Sequence, residues 1–73
     1  MATIGETYNP IFEVKTHDAA RELYFSLVRR NMELTGNTEA EARSIESENI
    51  RYYAGYADEE DREQVYRLFK EVL

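Results

Sequence analysis

The groups in this chain with the most capacity for chemistry are carboxylates and phenols. Asp58, Glu59, Glu60 and Asp61 follow one another directly, and three of the six tyrosines, Tyr52, Tyr53 and Tyr56, stand just before them. Four acids in a row invite a divalent cation. On a helix, however, consecutive residues fan out by about 100° each. An EF-hand instead needs an Asp-rich loop with a central Gly and a distal Glu, which is not written here. At the start of a helix the same acids favour the positive end of the dipole, so we read them as helix-starting and solubilising. His17 is the only histidine and lies near a helix start. No Ser or Thr has the G-x-S-x-G setting of an activated nucleophile. There is no glycine-rich phosphate loop and no dinucleotide fingerprint. Each of the three glycines, at 5, 36 and 55, suits a turn or a helix end. Cysteine is absent, which removes disulfides, thiolate chemistry and sulfur ligation. The expectation is a protein that is not an enzyme and carries no cofactor or metal.

Electrostatics narrows the partner. The net charge of −6 opposes binding to a phosphate backbone, which requires a basic patch. Arg29 and Arg30 beside Asn31 form one basic spot, read as a solvated face; as a site it would pair with a partner carboxylate. The second and third helices, joined through Gly55-Tyr56-Ala57, have the outline of a helix-turn-helix. Its recognition helix would begin with four acids where base edges and phosphates must be met, which argues against DNA. No apolar run reaches the roughly 20 residues of a membrane span, and the N-terminal segment does not have the pattern of a secretory signal. The expected setting is the cytoplasm, and the expected partner a protein with a basic surface.

Seventy-three residues make one domain, residues 1–73, expected to be all-α: a three-helix core over residues 17–73 preceded by an extended arm over residues 1–16. In the arm, Ile11, Phe12 and Val14 make a short β-favouring run after the Asn9-Pro10 break, consistent with one short strand. The first helix is expected to start between Thr16 and Asp18 and to stop at Gly36. Ala20, Leu23, Tyr24, Leu27 and Leu34 share its inward face, with Val28 at the edge and Asn31 inside it. Phe25 and Met32 lie on a neighbouring flank. Thr38 and Glu41 have capping-box spacing and open the second helix. Val65, Leu68, Phe69 and Val72 give the inward stripe of the third, which begins at Asp58. A chain of this size is expected to be a monomer when free.

The second helix poses a choice about its tyrosines. With Ile45 as the reference direction, Tyr52 and Tyr56 lie within roughly 20° of it and Asn49 on the same face, whereas Tyr53 points about 80° away and Ile50 further still. This places Tyr52 and Tyr56 in the core and makes Tyr53 a surface aromatic. The arm poses the same choice. Tyr8, Ile11 and Phe12 either cover the groove between helices or are offered to another protein, since aromatic and apolar anchors dominate interfaces. Phe25 and Met32 either receive the arm or extend one patch with it.

Through "ETYNPIFEV" leading into "HDAARELYFSLVRRNMEL", together with its size, acidity and aromatic arm, the chain resembles small bacteriophage-encoded regulators of host RNA polymerase. The resemblance covers the whole length without a signature motif, so no residue role is carried over. It implies a protein that binds bacterial RNA polymerase near the start of its largest subunit and the RNA exit region. Promoter initiation through sigma would then be inhibited, and elongating enzyme would terminate less. On that reading Tyr8, Ile11, Phe12, Phe25, Met32 and Tyr53 are the candidate partner-binding residues. The alternative is an adaptor, inhibitor or structural small subunit of another cytoplasmic or phage assembly.

Overall fold

The computed structural model describes residues 7–73. Three α-helices carry the fold: α1 (His17–Thr35), α2 (Glu39–Gly55) and α3 (Glu59–Leu68). A 3-10 helix, Asn9–Phe12, precedes them, and no strand occurs among the described residues. The domain is all-α.

Local chemistry sets the helix ends. The Thr16 hydroxyl accepts from the Ala19 amide at 3.0 Å, so α1 starts with one of its orphan donors satisfied. Gly36 closes α1 at φ 75° in the left-handed region, its amide donating to the Met32 carbonyl at 2.9 Å. Both bonds of the capping box open α2: the Glu41 amide donates to the Thr38 hydroxyl at 3.2 Å, and the Thr38 amide donates to the Glu41 carboxylate at 3.0 Å. The Thr38 amide, and then the Thr38 hydroxyl, hold the Glu41 carboxyl below its ordinary range. Asp58 precedes α3, with Glu59, Glu60 and Asp61 in the first turn and Arg67 in the last, both suited to the helix dipole.

The strand expected from Ile11, Phe12 and Val14 is replaced by the 3-10 helix, and residues 7–16 of the expected arm are folded onto the body instead of extended. Pro10 stands at its first turn, where a fixed φ and a missing N–H are both tolerated. β-Propensity is a preference for half-buried pleated surfaces, and here the burial of Ile11 overrides it. The 3-10 helix packs against α1 and α3, and the Gln64 side-chain amide donates to the Val14 carbonyl at 3.2 Å. At the same end, His17 Nδ1 lies 3.2 Å from the Leu68 carbonyl, tying the start of α1 to the end of α3. Residues 1–6 of the expected arm lie outside the described residues.

One core joins Tyr8 and Ile11 to Ala20, Tyr24, Leu27 and Val28 of α1, to Ala42, Ile50 and Ala54 of α2, and to Val65, Leu68 and Phe69. Leu23 and Val72 pack against it half-buried, but Leu34, expected on the inward face of α1, is 73% exposed. It lies in the last turn of α1, at the edge of the packed body.

The larger correction concerns α2. Its inward face is Ala42, Glu46, Ile50 and Ala54, with Ser47 and Tyr53 on the flanks. That face is centred about 120° from the Ile45 direction. Tyr52 and Tyr56, expected in the core, are 58% and 78% exposed, and Tyr53, expected on the surface, is half-buried. Alanine at 42 and 54 lets the helix approach its neighbours closely, where a tyrosine ring would hold it off. A ridge of small side chains, not the aromatic stripe, therefore decides which way α2 faces.

Candidate functional site

Helix α2 carries a buried carboxylate. Glu46, on the inward face of α2, is 4% exposed. Burying a charge this way is costly unless hydrogen bonds replace the lost water. The Tyr8 hydroxyl donates to Glu46 Oε1, and Asn31 Nδ2 donates to Oε2 at 2.9 Å. Asn49 Nδ2 donates to the Tyr8 oxygen at 2.9 Å. Asn31 is itself held by Asn37, whose side-chain amide donates to its Oδ1 at 3.0 Å. Burial, and then donation to Glu46, raise the Tyr8 phenol well above the usual tyrosine range. A second polar contact lies beside this one. The Tyr24 hydroxyl donates to the Arg43 carbonyl at 3.1 Å and sits 3.0 Å from Ser47 Oγ.

This network lies at the floor of a cleft of about 320 Å³ lined by Thr7, Tyr8, Arg30, Asn31, Leu34, Glu46 and Asn49, among others. Both oxygens of Glu46 are engaged by neutral donors of the protein itself. The arrangement clamps α1, α2 and the segment before the 3-10 helix to one acceptor. Among the described residues, no group of three or more His, Asp or Glu comes together in a way that would hold a metal ion. No helix among them is long and apolar enough to cross a membrane.

The second feature is an aromatic ladder running from the core to the surface. Tyr8 stacks on Tyr53 with centroids 5.1 Å apart and planes 13° from parallel. Tyr53 meets Tyr52 edge-on at 5.2 Å, and Tyr52 meets Tyr56 edge-on at 5.1 Å. Offset and edge-to-face pairs of this kind are attractive beyond their buried area. The ladder ends in two exposed tyrosines, Tyr52 in α2 and Tyr56 at its C-cap, on the same face as Ile45, which is also exposed. The Tyr56 hydroxyl raises the phenol of Tyr52 above the usual range.

The residues singled out from the sequence fall on both sides of the surface. Tyr8 and Ile11 are buried, so the reading in which the arm covers the groove is the one observed for residues 7–16; Ile11 is fully enclosed, and Tyr8 is 5% exposed where it lines the cleft. Phe12, Phe25, Met32 and Tyr53 are half-buried against the core. Tyr8 and Tyr53 are brought together. Phe25 takes other neighbours: Tyr24 edge-on at 5.3 Å, and the Arg43 guanidinium 5.5 Å above its ring. Glu46, Asn49, Tyr52 and Tyr56 are the functional candidates missed. The signal for the polar clamp was Asn31 within an otherwise apolar face, which called for a buried partner.

Comparison with known protein families, with curated proteins and with solved structures yields no match to this chain.

Proposed function

We propose that this chain is a non-enzymatic transcription regulator that binds bacterial RNA polymerase, inhibiting initiation at host promoters and suppressing termination. The observation that carries the protein-contact part is the exposed end of the aromatic ladder, Tyr52 and Tyr56 with Ile45, on a domain whose net charge is −6. Tyrosines of this kind are the residues that protein interfaces use as anchors. The negative charge favours a basic protein surface over nucleic acid. The choice of polymerase comes from the resemblance of "ETYNPIFEV" and "HDAARELYFSLVRRNMEL" to small phage regulators of that enzyme. The non-enzymatic reading is supported by Glu46, whose two oxygens are occupied by the fold's own donors.

The test uses purified core polymerase and the full chain. Immobilised protein should retain the core enzyme at low salt and release part of it at high salt. In transcription reactions it should lower sigma-dependent open-complex formation and raise read-through at an intrinsic terminator. A chain that retains no polymerase subunit under low-salt conditions refutes the proposal.

A further inference from the structure

Helix α2 is apolar on two sides, and the core uses only one. Ala42, Glu46, Ile50 and Ala54 turn inward, leaving a second stripe of Ile45, Tyr52 and Tyr56 facing outward. Glu41 and Glu48 fall within about 40° of Tyr52 on the same wheel. We propose that this outward face of α2 is the docking surface for a basic segment of the partner protein, one that lays arginine or lysine side chains over Tyr52 and Tyr56. The proposal rests on the reading that the chain works through a protein partner, and not on that partner being polymerase.

Charge complementarity selects the occupant. Both cations of α2 are engaged within the molecule. Arg43 sits over the ring of Phe25, and Arg51 donates to the Leu73 carbonyl at 2.6 Å. The outward stripe is left with carboxylates and no positive charge. Asp58, Glu59, Glu60 and Asp61 follow within five residues of Tyr56. The ion pairs formed among the described residues are those of Arg21 with Asp18 and Glu71, so none of these acids is paired with a cation among the described residues. A guanidinium or ammonium over a tyrosine face gains cation–π attraction, with a carboxylate alongside to pair with it. The Arg43–Phe25 pair shows the same chemistry inside the domain. A second copy would bring the same acids against themselves in a two-fold interface, and nucleic acid would be repelled outright.

The probe is a synthetic peptide alternating arginine with alanine, compared with its glutamate-for-arginine counterpart. Amide shifts of the 73-residue chain are followed during titration. Saturable shifts are expected at Ile45, Tyr52 and Tyr56, weakened by salt and absent with the acidic peptide. The double variant Tyr52→Ser, Tyr56→Ser should bind the basic peptide at least about tenfold more weakly. Its melting should be close to that of the native chain, because both rings are exposed. Glu48→Lys, which leaves the tyrosines in place, should weaken binding as well. The proposal is overturned by no saturable shift, by shifts scattered over the acids with the tyrosines unmoved, or by unchanged binding in the double variant. It is also overturned if the face shifts with protein concentration alone, which would make a second copy its occupant. A polymerase experiment separates the two readings. If the double variant retains polymerase like the native chain, the surface is wrong and the polymerase reading stands. If the native chain ignores polymerase yet binds the basic peptide at the tyrosines, the reverse holds.

Discussion

Replacing Tyr8 by Phe removes one oxygen atom and leaves the ring to stack on Tyr53 and fill its place in the core. Only the hydroxyl is tested. That hydroxyl donates to a carboxylate that is nearly inaccessible to water and accepts from Asn49. Without it, Asn31 remains the one donor to Glu46 from this network. A hydrogen bond to a charged group contributes about 1.5–3 kcal/mol. The freed Asn49 amide is half-buried and can turn towards water, so it adds little. Tyr8→Phe is therefore expected to cost about 2 kcal/mol, which for a domain of this size lowers Tm by roughly 8–16 °C. Chemical denaturation should show a lower midpoint with an unchanged slope, the mark of lost stability and not of altered compactness. Tyr52→Phe and Tyr56→Phe serve as controls and should stay within about 0.5 kcal/mol of the native chain. On a Glu46→Gln background, Tyr8→Phe should cost less than it does alone, with a coupling of at least about 0.5 kcal/mol. A loss below about 0.5 kcal/mol for Tyr8→Phe, or strict additivity with Glu46→Gln, refutes the clamp.

The same hydroxyl gives the fold a signature at high pH. Burial and the bond to Glu46 raise the Tyr8 phenol in the folded state above its ordinary value of 10.0. The folded chain thus holds that proton more tightly than the unfolded one. Its contribution is complete below the ordinary tyrosine value and is lost as pH rises above it, at up to about 1.4 kcal/mol per pH unit. Tyr8→Phe has no such proton to lose. The stability gap between the two proteins should narrow above pH ~10, and curves that stay parallel there contradict the assignment.

Other substitutions test the rest of the frame. Ile11→Ala should cost about 2–5 kcal/mol, because that side chain is fully buried, and Phe12→Ala clearly less, since its ring is half-exposed; equal losses would show that the 3-10 helix does not divide them into core and rim. Gly36→Ala should cost about 1–2 kcal/mol from its left-handed φ alone, as nothing crowds the added carbon. Gly55→Ala, in helical conformation and equally uncrowded, should be neutral or gain about 0.5–1 kcal/mol in the same denaturation assay. NMR titration should find the Glu41 carboxyl below 4.5, with Thr38→Val moving it back towards that value. The stability that its capping bonds supply is present above that value and lost as pH falls through the lowered folded one; a native-like Glu41 in Thr38→Val would refute the part assigned to the hydroxyl, since valine keeps the amide.

The parts of the fold written locally were legible in the sequence. Thr16, Gly36 and the Thr38–Glu41 box act on backbone groups within four residues of themselves, so their meaning does not depend on tertiary context. The stripe of α3 was equally clear, since its other side is charged. The orientation of α2 was not legible, because the helix carries two plausible inward faces and periodicity cannot choose between them. The choice is made by neighbours far along the chain, through Tyr8 and Asn31 reaching Glu46 and through the closeness that Ala42 and Ala54 permit. A glutamate in the centre of the inward face is a poor advertisement for burial. Its three polar companions at 8, 31 and 49 are spread over more than half the chain. The arm misled for a related reason: its β-favouring side chains were selected by the groove they fill, not by the backbone they adopt.

The orientation of α2 also bears on function. A chain of 73 residues has little apolar surface to bury, and turning α2 by about 120° would exchange Ala42, Glu46, Ser47, Ile50 and Ala54 for Ile45, Tyr52 and Tyr56. The fold instead hydrogen-bonds the carboxylate inward and leaves two tyrosines in water. The polar clamp fixes this orientation together with the close approach that Ala42 and Ala54 permit, because only with Glu46 inside do Tyr8 and Asn31 find their acceptor. Holding the aromatic face outward is then a consequence of the clamp, and the two can be separated by mutation. Tyr8→Phe should weaken folding while leaving Tyr52 and Tyr56 presented in whatever fraction remains folded. Tyr52→Ser with Tyr56→Ser should spare folding and remove the partner's foothold. If instead Tyr8→Phe abolished binding in fully folded protein, the clamp would be part of the contact surface, and the cleft above Glu46 would be the place to look for the partner.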